Sequence, residues 1–306
     1  MAYSYSIVLV SYNRRSLLEL SLEHALNQTM AAEHVIVVDN ASTDGSWEYL
    51  KERASAEPRI RLLREKQNVG GAGGFYDGMQ EAIRYTHSEW ILVIDDDAVL
   101  DESCCEKLNP LRAQHKADAY ACTVRHGQEI DTNHRRDKRS INIPEKRYQE
   151  KEFFCSYVSF CGALFSRKLI QEVGYPLKEY FIWFDDTEYS MRVAAKTPIV
   201  VITDAYLQHG DPKESLSVAS IDWKYYYGTR NHLDCLMRHH RYGEFLSFLI
   251  EVNLIILLRR IKALVKKHER GKNLYEAELF SDSVKDALKC RLGINEKYRP
   301  GNKKKI

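Results

Sequence analysis

The sequence predicts an α/β fold with a mostly parallel central sheet flanked by helices and extended by a helical C-terminal region. Two observations carry this expectation. Short runs rich in β-branched residues alternate with helix-patterned segments through the first part of the chain, which indicates βαβ units. From about Ile221 onward the pattern is helical.

Taken in order, Tyr5–Val10 reads as a strand, Leu17–Asn27 as a helix, His34–Val38 as a strand, Trp47–Arg53 as a helix and Ile60–Leu63 as a strand. A glycine-rich turn follows, then a helix from Gly74 to Tyr85 and a strand from Trp90 to Ile94. The highly charged stretch His126–Lys151 is poor in large apolar residues and reads as a mobile loop or excursion, either a plain surface loop or a lid over an acceptor. Phe153–Phe165 has the apolar, aromatic character of a buried strand and enters a helix at Ser166. The Lys-rich end, Lys303–Lys305, is expected to be disordered.

With 306 residues the chain can bury a substantial core. Its longest apolar helix candidate, Phe245–Leu258, is interrupted by Glu251 and Asn253 and falls short of the roughly 20 apolar residues of a bilayer span. The start lacks the basic region of a secretory signal, so a cytoplasmic protein is expected. Seven cysteines at irregular spacing, with no CxxC pair, fit reduced thiols rather than a zinc site. The net charge of +2 is unevenly spread, with basic residues gathered from Arg259 to Lys272. Nucleic-acid binding would rest on the basic tail alone and is not expected.

In open α/β sheets, ligands bind beyond the carboxyl ends of the strands. The residues there are polar: Ser11-Tyr12-Asn13-Arg14, Asp39-Asn40-Ala41-Ser42, Gln67-Asn68-Val69-Gly70 and Asp95-Asp96-Asp97. Three adjacent carboxylates repel one another unless a cation or solvent offsets the charge. Magnesium or manganese, which take oxygen ligands and bridge carboxylates to phosphates, would do so, and strand alternation puts Asp95 and Asp97 on one side. An acidic turn capping the next helix is the alternative. Asp39 can accept hydrogen bonds from a base or ribose, or can belong to a helix-capping turn. Gly70-Gly71-Ala72-Gly73-Gly74 allows close approach of backbone to an anion. No Gly-Lys-Ser/Thr follows, so this is not a Walker loop, and the triphosphate loop of a nucleotidyltransferase is also missing. Trp183-Phe184-Asp185-Asp186 places an acidic pair beside aromatic rings at a helix start. That pair fits a structural cap or a general base, with Arg192 as an orienting partner. His209, after an apolar run, is a structural residue or a ligand.

The ordered set resembles glycosyltransferase family 2, with a Rossmann-like GT-A fold, over about residues 5 to 215. It consists of Ser-Tyr-Asn-Arg, Val-Asp-Asn-Ala-Ser-Thr-Asp-Gly, Asn-Val-Gly-Gly-Ala-Gly-Gly, the aspartate triplet and Trp-Phe-Asp-Asp-Thr-Glu-Tyr. The resemblance implies a nucleotide-sugar donor held by Arg14, Asp39, Asn68 and Asp95, and Asp186 as catalytic base. It also implies a divalent metal, Mn2+ or Mg2+, on Asp95 and Asp97. The glycine loop, the Trp-Phe-Asp-Asp segment and the histidine at 209 are similar to galactofuranosyltransferases, whose matching histidine ligates the metal. The expectation is therefore inverting transfer of galactofuranose from UDP-galactofuranose to a hydroxyl of a polyprenyl-linked bacterial surface glycan, such as O-antigen or capsule. Trp183 and Asp185 would then face the acceptor. A rhamnosyltransferase using dTDP-rhamnose, which shares the scaffold and the Tyr225-Tyr226-Tyr227, Arg230-Asn231 segment, is one alternative. A non-catalytic nucleotide-sugar binding protein is the other. Residues 1–215 are expected to form the GT-A domain, with residues 1–100 its nucleotide half and 101–215 its acceptor half. Residues 216–306 form the helical region, whose basic helix Glu244–Lys267 suits peripheral contact with the inner face of the membrane.

Overall fold

The computed structural model describes residues 3–210 and 221–301; the Lys303–Lys305 tail and the expected domain border at 215 and 216 lie outside the described residues. The chain divides into two compact units, one of Met1–Leu177 with Asp186–Leu216 and one of Lys178–Asp185 with Ser217–Ile306.

The larger unit begins with β1 (Tyr5–Ser11), α1 (Arg15–Leu26), β2 (Val35–Asp39), α2 (Ser46–Ala56), β3 (Ile60–Arg64), α3 (Gly70–Tyr85) and β4 (Trp90–Asp95). These follow the βαβ reading of the sequence. After them come β5 (Ala98–Leu100), α4 (Cys104–Lys107), β6 (Ala119–His126), β7 (Glu129–Ile130), β8 (Arg135–Arg136), β9 (Glu152–Cys155) and β10 (Tyr157–Val158). Next are β11 (Ala163–Ser166), α5 (Arg167–Val173), α6 (Asp185–Ala194) and β12 (Ile199–His209). The main sheet runs β3-β2-β1-β4-β11-β6-β12-β5. β1, β2, β3 and β4 pair in parallel, whereas β11 lies antiparallel to both β4 and β6, so the sheet is parallel in its first half and mixed beyond. Every residue of β1 is buried, as a strand covered on both faces requires.

Three sequence readings change. The glycine run is not a turn ahead of a helix but the first turns of α3. Glycine is a poor helix former, and close packing on the sheet overrides that preference. A Cβ at Gly74 would sit 2.4 Å from Val10 Cγ1, and one at Gly78 2.5 Å from Val8 Cγ1. The charged stretch His126–Lys151 is likewise not a mobile loop, because it contains β7, β8 and two short 3-10 turns. Its anchor is Arg135, which has no exposed surface and donates to the carbonyls of Cys122 (2.7 and 3.1 Å), Cys161 (2.8 Å) and His134 (2.8 Å). The apolar stretch from Phe153 supplies three short strands rather than one, ending in Ser166, whose hydroxyl caps α5 by accepting from the Leu169 amide.

The smaller unit is helical: α7 (Lys224–Arg238), α8 (Tyr242–Val265) and α9 (Arg270–Leu288). Its core joins Phe181, Tyr226, Tyr227, Val252, Leu279 and Phe280. No helix of the described residues is long and apolar enough to cross a membrane.

The α3 packing can be tested directly. Gly78→Ala should destabilise the protein by about 1–3 kcal/mol in urea unfolding, as an overpacked contact does. Gly71→Ala, where an added Cβ meets nothing within 4 Å, should change stability by no more than about 0.5 kcal/mol. Equal effects at the two positions would refute the packing explanation.

Candidate active site

The strand order reverses at β1, with β2 and β3 on one side and β4 on the other. A crevice opens at the carboxyl ends of strands at such a switch point. The register aligns Val10 with Asp95 and Ser11 with Asp39, so the polar segments after β1, β2 and β4 emerge side by side. The first two are laced together. The amide of Asn13 donates to Ser42 Oγ (3.0 Å), and Asn13 Oδ1 accepts from the Thr43 amide (2.8 Å). Asn13 and Ala41 both hold left-handed backbone, with φ of 52° and 59°.

Asp95 closes β4, whereas Asp96 and Asp97 form the turn before β5, so strand alternation does not extend through the triplet. Asp96 turns to the β1 loop, where its Oδ2 accepts from the Tyr12 amide at 3.0 Å. Asp97 pairs with the Arg14 guanidinium and brings Oδ1 to 3.3 Å from Nε2 of His209. The ligand atoms of Asp95, Cys161 and His209 lie within 4.8 Å of one another. His209 gets there because the end of β12 pairs with β5, opposite Ala98, while the Gly210 amide donates to the Asp97 carbonyl (3.0 Å). Burial, then the charge of Asp97, pushes the Asp95 carboxyl well above the usual carboxylate range. Burial also lifts Asp96, to about 6, against the pull of Arg14. For Asp97, burial acts upward but is outweighed by His209 and Arg14, which hold its carboxyl low. Burial likewise opposes protonation of His209, and Asp97 overcomes it, so the imidazole is raised.

This donor set fits a hard divalent cation. Asp97 Oδ1 is buried and makes no hydrogen bond, although the imidazole of His209 stands 3.3 Å away, so an arriving cation would meet an acceptor whose capacity is unfilled. Burial keeps the Cys161 thiol protonated by raising it far above its ordinary value, so the site offers oxygen and imidazole rather than thiolate.

Arg14, expected on the nucleotide, stands against the aspartates, with Asp96 Oδ1 also 3.5 Å away. Asp39 is fully buried; Oδ1 accepts from the Ser42 amide (3.2 Å), and Oδ2 faces Arg64 Nε at 3.4 Å. Asn68 Oδ1 accepts from the Gly70 amide (2.7 Å) at the start of α3, and Asn40 ties the β2 loop to the same turn through the Gly70 carbonyl (2.9 Å).

Asp186 lies in the first turn of α6 and keeps part of its surface open, whereas Asp185 is buried. Asp186 Oδ1 accepts from the Thr187 amide (2.5 Å) and hydroxyl (3.1 Å). The Thr187 hydroxyl in turn accepts from Arg136 (2.8 Å). Arg136 is two residues from His134, whose ring packs on His209 with centroids 4.7 Å apart. Asp186 is thus tied through Thr187 to Arg136, in the same short segment as His134. Arg192 does not orient Asp186; it forms a bidentate pair with Glu188 one turn away (2.7 and 3.0 Å) and bonds the Tyr175 carbonyl. Helix geometry favours that i,i+4 partner over one six residues back.

The turn leading into α6 belongs to the helical unit. Phe181, Trp183 and Phe184 all hold positive φ, of 67°, 64° and 69°, each an unfavourable conformation for a bulky side chain. Asn231 holds the turn: its Nδ2 reaches the carbonyls of Tyr180 (2.9 Å), Ile182 (3.0 Å) and Trp183 (2.9 Å). Arg230 bonds Asn231 Oδ1 and the Glu179 carbonyl. Trp183 is 40% exposed and rests on α7, where a Cβ at Gly228 would come within 2.6 Å of its ring.

Three residues at the cluster escaped sequence reasoning. Cys161 reads as one apolar residue among many. Asp131 and His134, whose ligand atoms lie within 4.8 Å of that of His209, sit in the charged stretch that resembles a loop. Their only signal was the pairing of Asp and His three residues apart.

A divalent cation must displace protons from Asp95 and His209, both of which hold them more tightly than usual. Affinity for Mn2+ measured by calorimetry should therefore rise as pH increases through the neutral range. A flat or falling profile would contradict this ligand set.

Comparison with known proteins bears on this arrangement. The model of the family described as Glycosyl transferase family 2 matches residues 6–174, more than half of the chain. The chain is similar to galactofuranosyltransferase GlfT1 of Mycolicibacterium smegmatis, at 36% identity over 29% of this chain and 28% of that protein. It is similar to glycosyltransferase GlyG of Streptococcus pneumoniae, at 29% identity over 44% of this chain and 43% of that protein. It is also similar to GlfT1 of Mycobacterium tuberculosis, at 27% identity over 68% of this chain and 71% of that protein. The matched region thus spans less than half of the first two relatives. Among solved structures, S. aureus TarS 1–349 in complex with UDP-GlcNAc superposes with a TM-score of 0.55 at 16% identity, over 94% of this chain and 90% of that one. The mannosyltransferase PcManGT from Pyrobaculum calidifontis, in complex with GDP-Man and Mn2+, gives 0.56 at 16% identity, over 94% and 88%. The chain belongs to glycosyl transferase family 2 and has the GT-A fold.

Proposed function

We propose that this protein is an inverting, metal-dependent galactofuranosyltransferase that uses UDP-galactofuranose and acts on a hydroxyl of a polyprenyl-linked surface glycan. The observation that carries the reading is the grouping of Asp95 with His209 and the pairing of His209 with Asp97, beyond the strand ends. Similarity to galactofuranosyltransferases supports the choice of sugar.

Asp95, Asp97 and His209 would hold Mn2+ or Mg2+, which supplies Lewis-acid charge to the donor diphosphate. Arg14 fixes the orientation of Asp97. Asp39, fully buried at the end of β2, would offer Oδ2 to the nucleoside once Arg64, 3.4 Å from that oxygen, moves away, and Asn68 would act from the turn that starts α3. Asp186 takes the proton of the acceptor hydroxyl while that oxygen attacks the anomeric carbon and the nucleoside diphosphate departs. A single displacement inverts the anomeric centre. Trp183 offers a half-exposed ring face to a sugar, and Asp185 supports the start of α6. The exposed apolar face of α8 with its basic end suits a protein working at the inner face of a membrane that carries the acceptor.

A panel of nucleotide sugars including UDP-galactofuranose and dTDP-rhamnose, assayed for metal-dependent nucleotide release with candidate acceptors, tests the reading. UDP-galactofuranose should be turned over fastest. Asp186→Asn should lower turnover by about a hundredfold or more while donor affinity is kept. Wild-type turnover in that variant would move the base elsewhere. Asn231→Ala should destabilise the chain by about 1–3 kcal/mol and lower kcat more than donor KM, because the turn before Asp186 relaxes. Unchanged kcat would refute the positioning role.

A further inference from the structure

The helical unit contains a cavity of about 310 Å³ that the chemistry above does not use. Its walls come from the strained turn (Trp183, Phe184), from α7 (Tyr225, His232) and from α8 (Val252, Ile255). Aromatic rings and aliphatic side chains make up most of the lining. His232 is stacked between Phe184, at a centroid distance of 4.5 Å, and Phe248, at 4.2 Å. Trp183, Tyr225, Phe248 and Ile255 each keep part of their surface open, so the cavity communicates with solvent. An open apolar cavity holds water poorly and gains by taking up hydrocarbon.

Two further observations narrow the occupant. Trp183 and Phe184 directly precede Asp185 and the proposed base Asp186 in the chain, so one stretch of backbone carries both the cavity wall and the acceptor side of the reaction. In addition, α8 is apolar on two sides. Phe248, Val252 and Ile255 face the cavity, while Leu246, Ile250, Leu254, Leu258, Ile261 and Leu264 are between 46% and 76% exposed. Soluble helices seldom show such a continuous outer stripe. Exposed Arg260, Lys262 and Lys267 accompany it, which matches an anionic lipid surface. One helix thus presents hydrocarbon-compatible surface outward, where a membrane would lie, and inward at the cavity.

We propose that this cavity binds the hydrocarbon of a lipid-linked acceptor, the segment of isoprenoid or alkyl chain nearest the glycan. The assignment rests on the glycosyltransferase reading. It adds a recognition site: the sugar is selected at the switch point of the sheet, and the lipid in the helical unit. The lining offers a phosphate no Lys or Arg side chain, so the cavity takes the chain and leaves the headgroup outside.

The test has two arms on the full chain. In the first, an alkyl glycoside bearing a photoreactive diazirine at the chain end is bound and irradiated, and the labelled peptides are mapped by mass spectrometry. Labels on the turn at 183–184, on α7 near His232 and on the inner side of α8, removed by excess octyl glycoside, are expected. Labels confined to Leu254, Leu258 and the rest of the outer stripe, or no specific label, overturn the proposal. In the second arm, the same glycan is offered as its methyl and octyl glycosides. The octyl form should have a KM lower by about tenfold or more, and Ile255→Trp, which fills the cavity, should abolish the preference. Ile255→Ala, a milder change, should reduce it several-fold. A preference that survives both substitutions in folded protein overturns the proposal, and so does transfer that ignores the chain. Specific cavity labelling without transfer to any acceptor would instead remove the glycosyltransferase reading and leave the cavity assignment in place.

Discussion

Three negative charges in succession at the end of a buried strand are the constraint around which the site is arranged. The chain could meet that repulsion by exposing all three groups to water. Instead the turn after the strand gives Asp96 to the backbone of the β1 loop, and Asp97 to Arg14 and His209. Asp95 remains with its charge disfavoured by burial. This distribution makes the three carboxylates unequal: one is structural, one is held ionised, and one is ready to ionise when a cation arrives. The placement of β5 against the end of β12 also follows from it, because that pairing delivers the imidazole to Asp97.

The second arrangement of consequence is the turn before α6. Three bulky residues in left-handed conformation are unstable in isolation and persist only where neighbours leave no alternative. Asn231 and Arg230 supply that restraint through main-chain carbonyls, so it does not depend on which side chains occupy the turn. A relaxed turn would shift the start of α6, which opens with the acidic pair.

Much of this was legible before any coordinates. The alternation of β-branched runs with helical patterns located β1 to β4, and strand-end polarity located their loops, because both depend on local periodicity. The parity argument for Asp95 and Asp97 does not apply, because the strand ends at Asp95 and the next two residues turn. The glycine run was misread since helix propensity is a local quantity, whereas the contacts of Gly74 and Gly78 with Val10 and Val8 are tertiary. The stretch around Arg135 was misread because a charged composition suggests solvent, and only the fold shows carbonyls waiting in the interior. Cys161 carried no distinguishing pattern and His134 only its spacing from Asp131; both meet His209 from positions distant in sequence. The positive φ values at Phe181, Trp183 and Phe184 were equally invisible, since aromatic residues do not advertise left-handed backbone.

Arg135 illustrates how shape rather than charge can decide the fate of a segment. Its flat guanidinium gathers carbonyls from β6, from the residues before β11 and from its own neighbour, so strands far apart in sequence are pinned at one point. Lysine would retain the charge but not the fork of donors. Evolutionary drift here is therefore expected to be discontinuous: the brace is kept whole or the entire excursion is rebuilt, and the imidazole beside it follows whichever course is taken.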